Sequence, residues 1–202
     1  STGVLHDIRA IGELVRNTEA ILVVDAVSSL GGAPLHMDAW GLDVVIGASQ
    51  KALMNPPGLT VLGLSAKGWQ RVAESKLPRH FWDFRQIRDF IRRDRPETPH
   101  TTPTTLVYGL LEALRMINEE GLEAVWERHR RMARLVCQGV EGLGLSLLVP
   151  CSEERSPTVT AVRCPEGIDG KTVVKRLREM YNVRIGAGLR RLESSTFRVG
   201  HM

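Results

Sequence analysis

Two charged residues of opposite sign, Asp25 and Lys51, stand at or just past the ends of short apolar runs. Ile21 to Val24 is unbroken, apolar and rich in β-branched residues, which is the pattern of a buried strand, and Asp25 ends it. Asp43 to Ile46 reads as a second such strand and delivers the chain to Ser49, Gln50 and Lys51. In open α/β sheets, ligands lie beyond the carboxyl ends of the strands, so an acid and an amine here stand where chemistry is done. They can also form a plain ion pair. Taken in isolation, the ion pair is the simpler reading.

Other chemistries lack their residues. No GxGxxG follows a strand, so the dinucleotide fingerprint is missing. Gly170-Lys171-Thr172 resembles the end of a phosphate-binding loop, but Pro165 occupies the place of its first glycine, and Asp169 reads as a helix cap instead. The six histidines show no HExxH or paired spacing, so no metal site is expected. His129 falls on the apolar face of a helix, where a packed core histidine is the ordinary case. Cys164 has no neighbouring base and reads as structural.

Composition bounds the rest. With 202 residues, 43% of them hydrophobic and 25% charged, the chain suits one large globular domain or two small ones. The net charge of +4 does not point to nucleic acid, because Lys and Arg alternate with Asp and Glu. Even Arg92, Arg93 and Arg95 are flanked by Asp89, Asp94 and Glu97. Three cysteines without a CxxC pair fit a reducing, cytoplasmic compartment. No apolar run is long enough to cross a bilayer, so no membrane partner is expected. Neither end looks natural. The chain starts at Ser1 without a methionine and stops at Met202 just after a strand-like run, so it reads as an internal piece of a longer protein.

The elements that position these residues follow from periodicity. Ile8, Ile11, Leu14 and Val15 predict a helix stopping near Asn17, and Gly31 to Pro34 a turn. Leu59 to Leu64 predicts a third strand after Pro56-Pro57-Gly58. Residues 66–97 hold a short helix and an aromatic cluster of Phe81, Trp82 and Phe84. After the Thr/Pro loop from Thr98 to Thr105, the run Leu106, Leu110, Leu111, Leu114 and Ile117 predicts an amphipathic helix broken at Gly121. A longer helix follows, with Leu122, Val125, Trp126, His129, Ala133, Val136 and Val140 on one face. Beyond Gly144 the texture is that of strands at Leu145–Val149, Thr158–Val162, Val183–Ile185 and Thr196–Val199, with a helix over Lys171–Met180. The chain is therefore read as α/β, with a domain boundary near Asn118 to Gly121.

The stretch from Asp25 to Gly32 (DAVSSLGG), followed by Ser49-Gln50-Lys51 and Pro56-Pro57-Gly58, closely resembles the alanine–glyoxylate and serine–pyruvate aminotransferases. These belong to the class V branch of fold-type-I pyridoxal-phosphate enzymes. The likeness also takes in Ser1 to Leu5, the Thr101–Pro103 loop and Phe197-Arg198-Val199-Gly200, so it spans the chain. It implies the later part of a large, mostly parallel α/β/α cofactor domain over residues 1–118. Residues 119–202 would then be most of a smaller C-terminal α/β domain.

The resemblance also implies roles. Lys51 would hold pyridoxal 5'-phosphate as a Schiff base and, once freed, move the substrate α-proton. Asp25 would face the pyridine nitrogen and keep it protonated. Val27 would pack on a ring face, and Gln50 would stand near the phosphate. Thr101 matches a threonine that reaches the phosphate of a neighbouring subunit in a homodimer with shared sites. A tyrosine of some relatives is replaced by Thr98, which departs from that pattern. Arg198 matches the arginine that holds the substrate carboxylate through paired planar donors, with Arg184, Arg190 and Arg191 as competitors.

The implied reaction moves an amino group from alanine or serine to glyoxylate or pyruvate. Cysteine desulfurases of the same fold are the nearest rival, but they place a histidine where Gln50 stands. A non-catalytic assembly subunit has no need of Asp25, Lys51 and Arg198 together. The glycine-containing phosphate loop and the ring-stacking aromatic residue are expected in an N-terminal portion outside this sequence.

Overall fold

The computed structural model describes residues 2–202. Ser1, the first residue of the Ser1–Leu5 motif, lies outside the described residues. Helix α1 (Ile8–Val15) begins where Asp7 accepts the Ala10 N–H at 3.0 Å, the usual way a carboxylate satisfies an unpaired helix donor. Strand β1 (Val23–Asp25) leads through a tight turn and the short helix α2 (Met37–Trp40) into β2 (Val44–Ala48). The two strands are parallel, with Val23 opposite Val44 and Asp25 opposite Ile46. Strand β3 (Thr60–Leu64) then pairs antiparallel with β2 and completes a three-stranded sheet. Its core is Val24, Ala26, Leu42 and Val45, and Ile8 of α1 and Met37 and Trp40 of α2 pack against it.

Helices α3 (Ala66–Glu74) and α4 (Phe84–Ile91) follow, so residues 66–97 contain two helices where one was expected. Phe81 lies edge-on to Trp82 and stacks on His100, with ring centroids 4.6 Å apart. Helix α5 (Thr104–Glu120) and helix α6 (Leu122–Gly142) meet at Gly121, whose φ of 89° is in the left-handed region that a side chain disfavours. The second sheet follows as β4 (Val159–Arg163), helix α7 (Gly170–Tyr181), β5 (Gly186–Ala187) and β6 (Thr196–Gly200). Its order is β4-β6-β5, antiparallel throughout. None of these helices is long and apolar enough to cross a membrane.

Four expectations are corrected. Leu145–Val149 makes only one bridge, Leu147 to Val162, because the turn at Gly144 admits it late and Pro150 has no N–H to extend it. Val183–Ile185 is not a strand. Asn182 ends α7 at φ 53° and Val183 N–H still bonds back to Leu177, so the strand begins three residues later than expected. Asp169 sits at the start of α7 but makes no side-chain cap; the Gly170 N–H bonded to Ser194 O fixes that start instead. Leu122, the first residue of α6, is exposed, while Cys137 joins the buried face.

Helix α6 belongs to both halves. Val125 joins Leu53 and Ile117 in one cluster, and Cys137 and Val140 join Leu147, Val162 and Phe197 in another. His129, 1% exposed, lies between them and donates Nδ1–H to Val125 O at 2.8 Å. The chain's first residues also cross over. Leu5 N–H bonds to Glu154 O and Ser156 N–H to Gly3 O, so residues 3–5 pair with the second half instead of lying wholly in the first.

Gly32 is the closest approach at this junction. A Cβ there would lie 2.6 Å from Thr158 Cγ2 and 3.1 Å from Ala52 Cβ. Gly32→Ala is therefore expected to cost about 1–3 kcal/mol, the usual range for overpacking. Thermal unfolding of the variant checks this, and an unchanged midpoint would mean the junction yields freely.

A buried polar chain runs beside that contact. Thr160 Oγ1 meets His201 Nε2 at 2.9 Å, and His201 is 9% exposed. Burial, with a smaller contribution from the charge of His129, holds the His201 pKa below its ordinary 6.5. The unfolded chain then binds this proton first as pH falls. Stability from this group is complete above about pH 6.5 and declines below it until the folded ring also titrates. Thermal unfolding between pH 7 and pH 5 should show this fall, with a shallower slope in His201→Gln. Equal slopes would remove His201 from the acid sensitivity.

Candidate active site

Asp25 and Lys51 stand at the carboxyl ends of adjacent parallel strands, Asp25 as the last residue of β1 and Lys51 three residues beyond β2. Asp25 is exposed, and its Oδ1 accepts the Val27 N–H at 3.0 Å, which folds the chain back just past the strand. Among the described residues Asp25 has no ion pair, and Lys51 Nζ has neither an ion pair nor a hydrogen bond. The plain pairing of the two is therefore not formed. Both groups remain free for a third.

Lys51 is half-buried on a turn whose ends are tied together. Ser49, fully buried, donates Oγ–H to Pro56 O at 2.7 Å and accepts the Leu59 N–H. The Asn55 N–H bonds to Ser49 O and the Met54 N–H to Lys51 O, with Met54 held at φ 56°. A lysine on so short and closed a turn has its Cα fixed while its amine has no partner among the described residues. Gln50, beside it, is exposed, and Val27 is half-buried in the turn that follows Asp25.

Thr101 is exposed in the loop ahead of α5. Two neighbours shape that loop: Thr102 donates to Thr98 Oγ1, which donates to His100 O. Arg198 sits in the middle strand of the second sheet, with Ala161 on one side and Gly186 on the other. Its Nε donates to Ala187 O at 2.8 Å, and the guanidinium lies over Gly186, whose missing side chain makes the room. The terminal nitrogens have no partner among the described residues, so two parallel donors remain for a carboxylate. Ala161 on this same face packs on Gly3, so Arg198 shares its side of the sheet with the chain's first residues. Arg184, Arg190 and Arg191 are exposed, and Arg190 is at φ 53°.

The sequence did not single out Asn55, which is 5% exposed and donates Nδ2–H to Leu106 O of α5 at 2.9 Å. The Asn55-Pro56 dipeptide signals a turn and gave no sign of that contact. Among the described residues no three His, Cys, Asp or Glu side chains converge as they would around a metal.

The profile of the family described as aminotransferase class-V matches residues 1–200. An L-aspartate–glyoxylate aminotransferase of Paracoccus denitrificans is 38% identical over the whole chain, which covers 51% of that protein. A serine–glyoxylate aminotransferase of Arabidopsis thaliana gives the same identity and coverage. The crystal structure of an alanine–glyoxylate aminotransferase from Nostoc superposes with a TM-score of 0.91 at 36% identity, covering 99% of this chain and 53% of that one. The chain spans about half the length of the curated relatives it matches. A cysteine desulfurase from Thermococcus onnurineus is more distant, at 19% identity, and shares the fold alone.

Proposed function

Because the chain belongs to the aminotransferase class-V family, we propose that it supplies the cofactor lysine, Lys51, and the substrate-carboxylate arginine, Arg198, of a pyridoxal-phosphate-dependent aminotransferase. The observation that carries this is the free amine of Lys51 on its tied turn, with Asp25, which has no ion pair among the described residues, at the end of the neighbouring strand. The residues fit the cofactor: an unpaired amine for its aldehyde, an unpaired carboxylate for its ring nitrogen, and exposed Gln50 and Thr101 for its phosphate. When bound, pyridoxal phosphate supplies an electron sink that makes an amino-acid α-proton removable. Lys51 would hold it and would move that proton as base and acid. Asp25 would hold a proton at the ring nitrogen, Val27 would pack against the ring, and Arg198 would orient the substrate by its carboxylate. The reaction proposed is transfer of an amino group from alanine or serine to glyoxylate or pyruvate.

The division into a large domain to about Asn118 and a small one from 119 is supported by the break at Gly121 and by a separate sheet on either side. A homodimer with shared sites is supported by the exposed apolar side chains of Val107, Tyr108 and Leu111 on α5, close in sequence to Thr101. The three unpaired thiols suit the cytoplasm.

Borohydride reduction of the full-length protein with cofactor bound, followed by peptide mapping, tests the proposal. The pyridoxyl adduct is expected on Lys51; an adduct on Lys67 or Lys171 defeats it. Asp25→Asn should keep the hydrogen bond but lose the charge that holds the ring proton, slowing exchange of the substrate α-proton by roughly tenfold or more. Exchange at the wild-type rate would make Asp25 a turn-forming residue only.

A further inference from the structure

We infer that Asn55 is a positioning residue for Lys51, fastening the lysine's turn to the first turns of helix α5; this rests on Lys51 being the cofactor lysine. Asn55 makes two bonds that hold the turn. Its N–H closes the turn on Ser49 O at 3.0 Å, and its Nδ2 reaches 51 residues along the chain to Leu106 O at 2.9 Å. Leu106 is in the first turn of α5, directly after the loop that carries Thr101. One side chain therefore ties the element that holds the cofactor's aldehyde end to the element proposed to meet a phosphate.

The fit is tight on both sides of this bond. A Cβ on Gly58 would stand 2.6 Å from Leu106 Cδ1, and a Cβ on Gly109 would fall on Asn55 Oδ1. Gly109 thus has a reason to interrupt a 17-residue helix, where alanine would otherwise be the better residue. The cost is visible as well. Asn55 Oδ1 is buried with no hydrogen-bond partner, and a buried acceptor left unpaired is destabilising. An apolar side chain would fill the position without that cost. Stability alone does not account for an amide here, whereas a fixed distance between the Lys51 turn and α5 does. The acceptor is a carbonyl, so the nitrogen of the amide must face it, and the orientation of the group is determined.

The test uses full-length protein carrying Asn55→Ala, Gly109→Ala or both. It reads the release rate of pyridoxal phosphate and the pH at which the bound cofactor's absorbance titrates, with thermal unfolding as the control. Each single variant is expected to speed release roughly tenfold, the worth of one hydrogen bond, and to move the titration, while unfolding barely changes. The double variant should be no worse than Asn55→Ala, because the methyl added by Gly109→Ala acts only by displacing the amide. Unchanged release and titration in Asn55→Ala, with the borohydride adduct still on Lys51, would overturn the inference and leave the aminotransferase reading standing. Additive effects in the double variant would also overturn it. An adduct on another lysine would remove both.

Discussion

Lys51→Ala in the full-length protein is expected to lower turnover by a factor on the order of 10³ or more, since proton transfer by a positioned side chain alone supplies 10²–10⁴. The lysine has two tasks, holding the cofactor covalently and moving the α-proton, and alanine performs neither. Lys51→Arg is the sharper variant. It keeps a positive charge at the same place, but a guanidinium that never loses its proton near neutral pH is neither nucleophile nor base. The two variants should therefore be about equally inactive, although both can retain cofactor through the groups around its phosphate. Single-turnover kinetics with alanine or serine as donor would measure this. Because the turn around Lys51 is closed by Ser49, Asn55 and Pro56 bonds that do not involve the lysine side chain, both variants should fold. A Lys51→Arg protein that transaminates at even a tenth of the wild-type rate would end the assignment.

Arg198→Ala should leave cofactor attachment intact and weaken amino-acid binding on the order of 30-fold or more, because truncating one partner of a desolvated charge pair costs about 2–5 kcal/mol. The geometry gives Arg198 a specific advantage. Its Nε is already spent on Ala187 O, which fixes the plane of the guanidinium and leaves the two terminal nitrogens pointing away together. Arg198→Lys should recover only part of the loss, since an ammonium has neither that plane nor that tether. Amines without a carboxylate should react equally with all three proteins. If Arg198→Ala binds alanine or serine as tightly as wild type, the anchor is one of Arg184, Arg190 or Arg191.

Strands β1, β2, β3, β4 and β6 and the helices α1, α5, α6 and α7 were legible because each has an apolar run or period that no neighbour disturbs. Asp25 and Lys51 were legible as strand-end residues, and the family resemblance gave them roles. What could not be read is where the pairing of an apolar run stops. Leu145–Val149 has strand composition and bonds to β4 only around Leu147, a limit that depends on the turn at Gly144 and on Pro150. Val183 is apolar, but its N–H closes the end of α7 instead of entering a strand. Asn55 was invisible for a different reason: its partner is 51 residues away, and nothing local distinguishes a buried asparagine before a proline from an exposed one. The pairing of residues 3–5 with 154–156 is equally non-local.

Helix α6 has a consequence for how much change the chain tolerates. Val125 is seated in one apolar cluster and Val140 in the other, on a single uninterrupted helix. A helix advances about 100° and 1.5 Å per residue, so its length sets an angle between the two clusters as a crankshaft sets the angle between its throws. Inserting or deleting one residue between Val125 and Val140 would turn one end by that angle, and Cys137 and Val140 would face solvent while Val125 stayed seated. Inserting seven would nearly restore the angle but part the ends by about 10 Å. Loops elsewhere can lengthen at little cost, whereas this segment is locked in phase as well as in length.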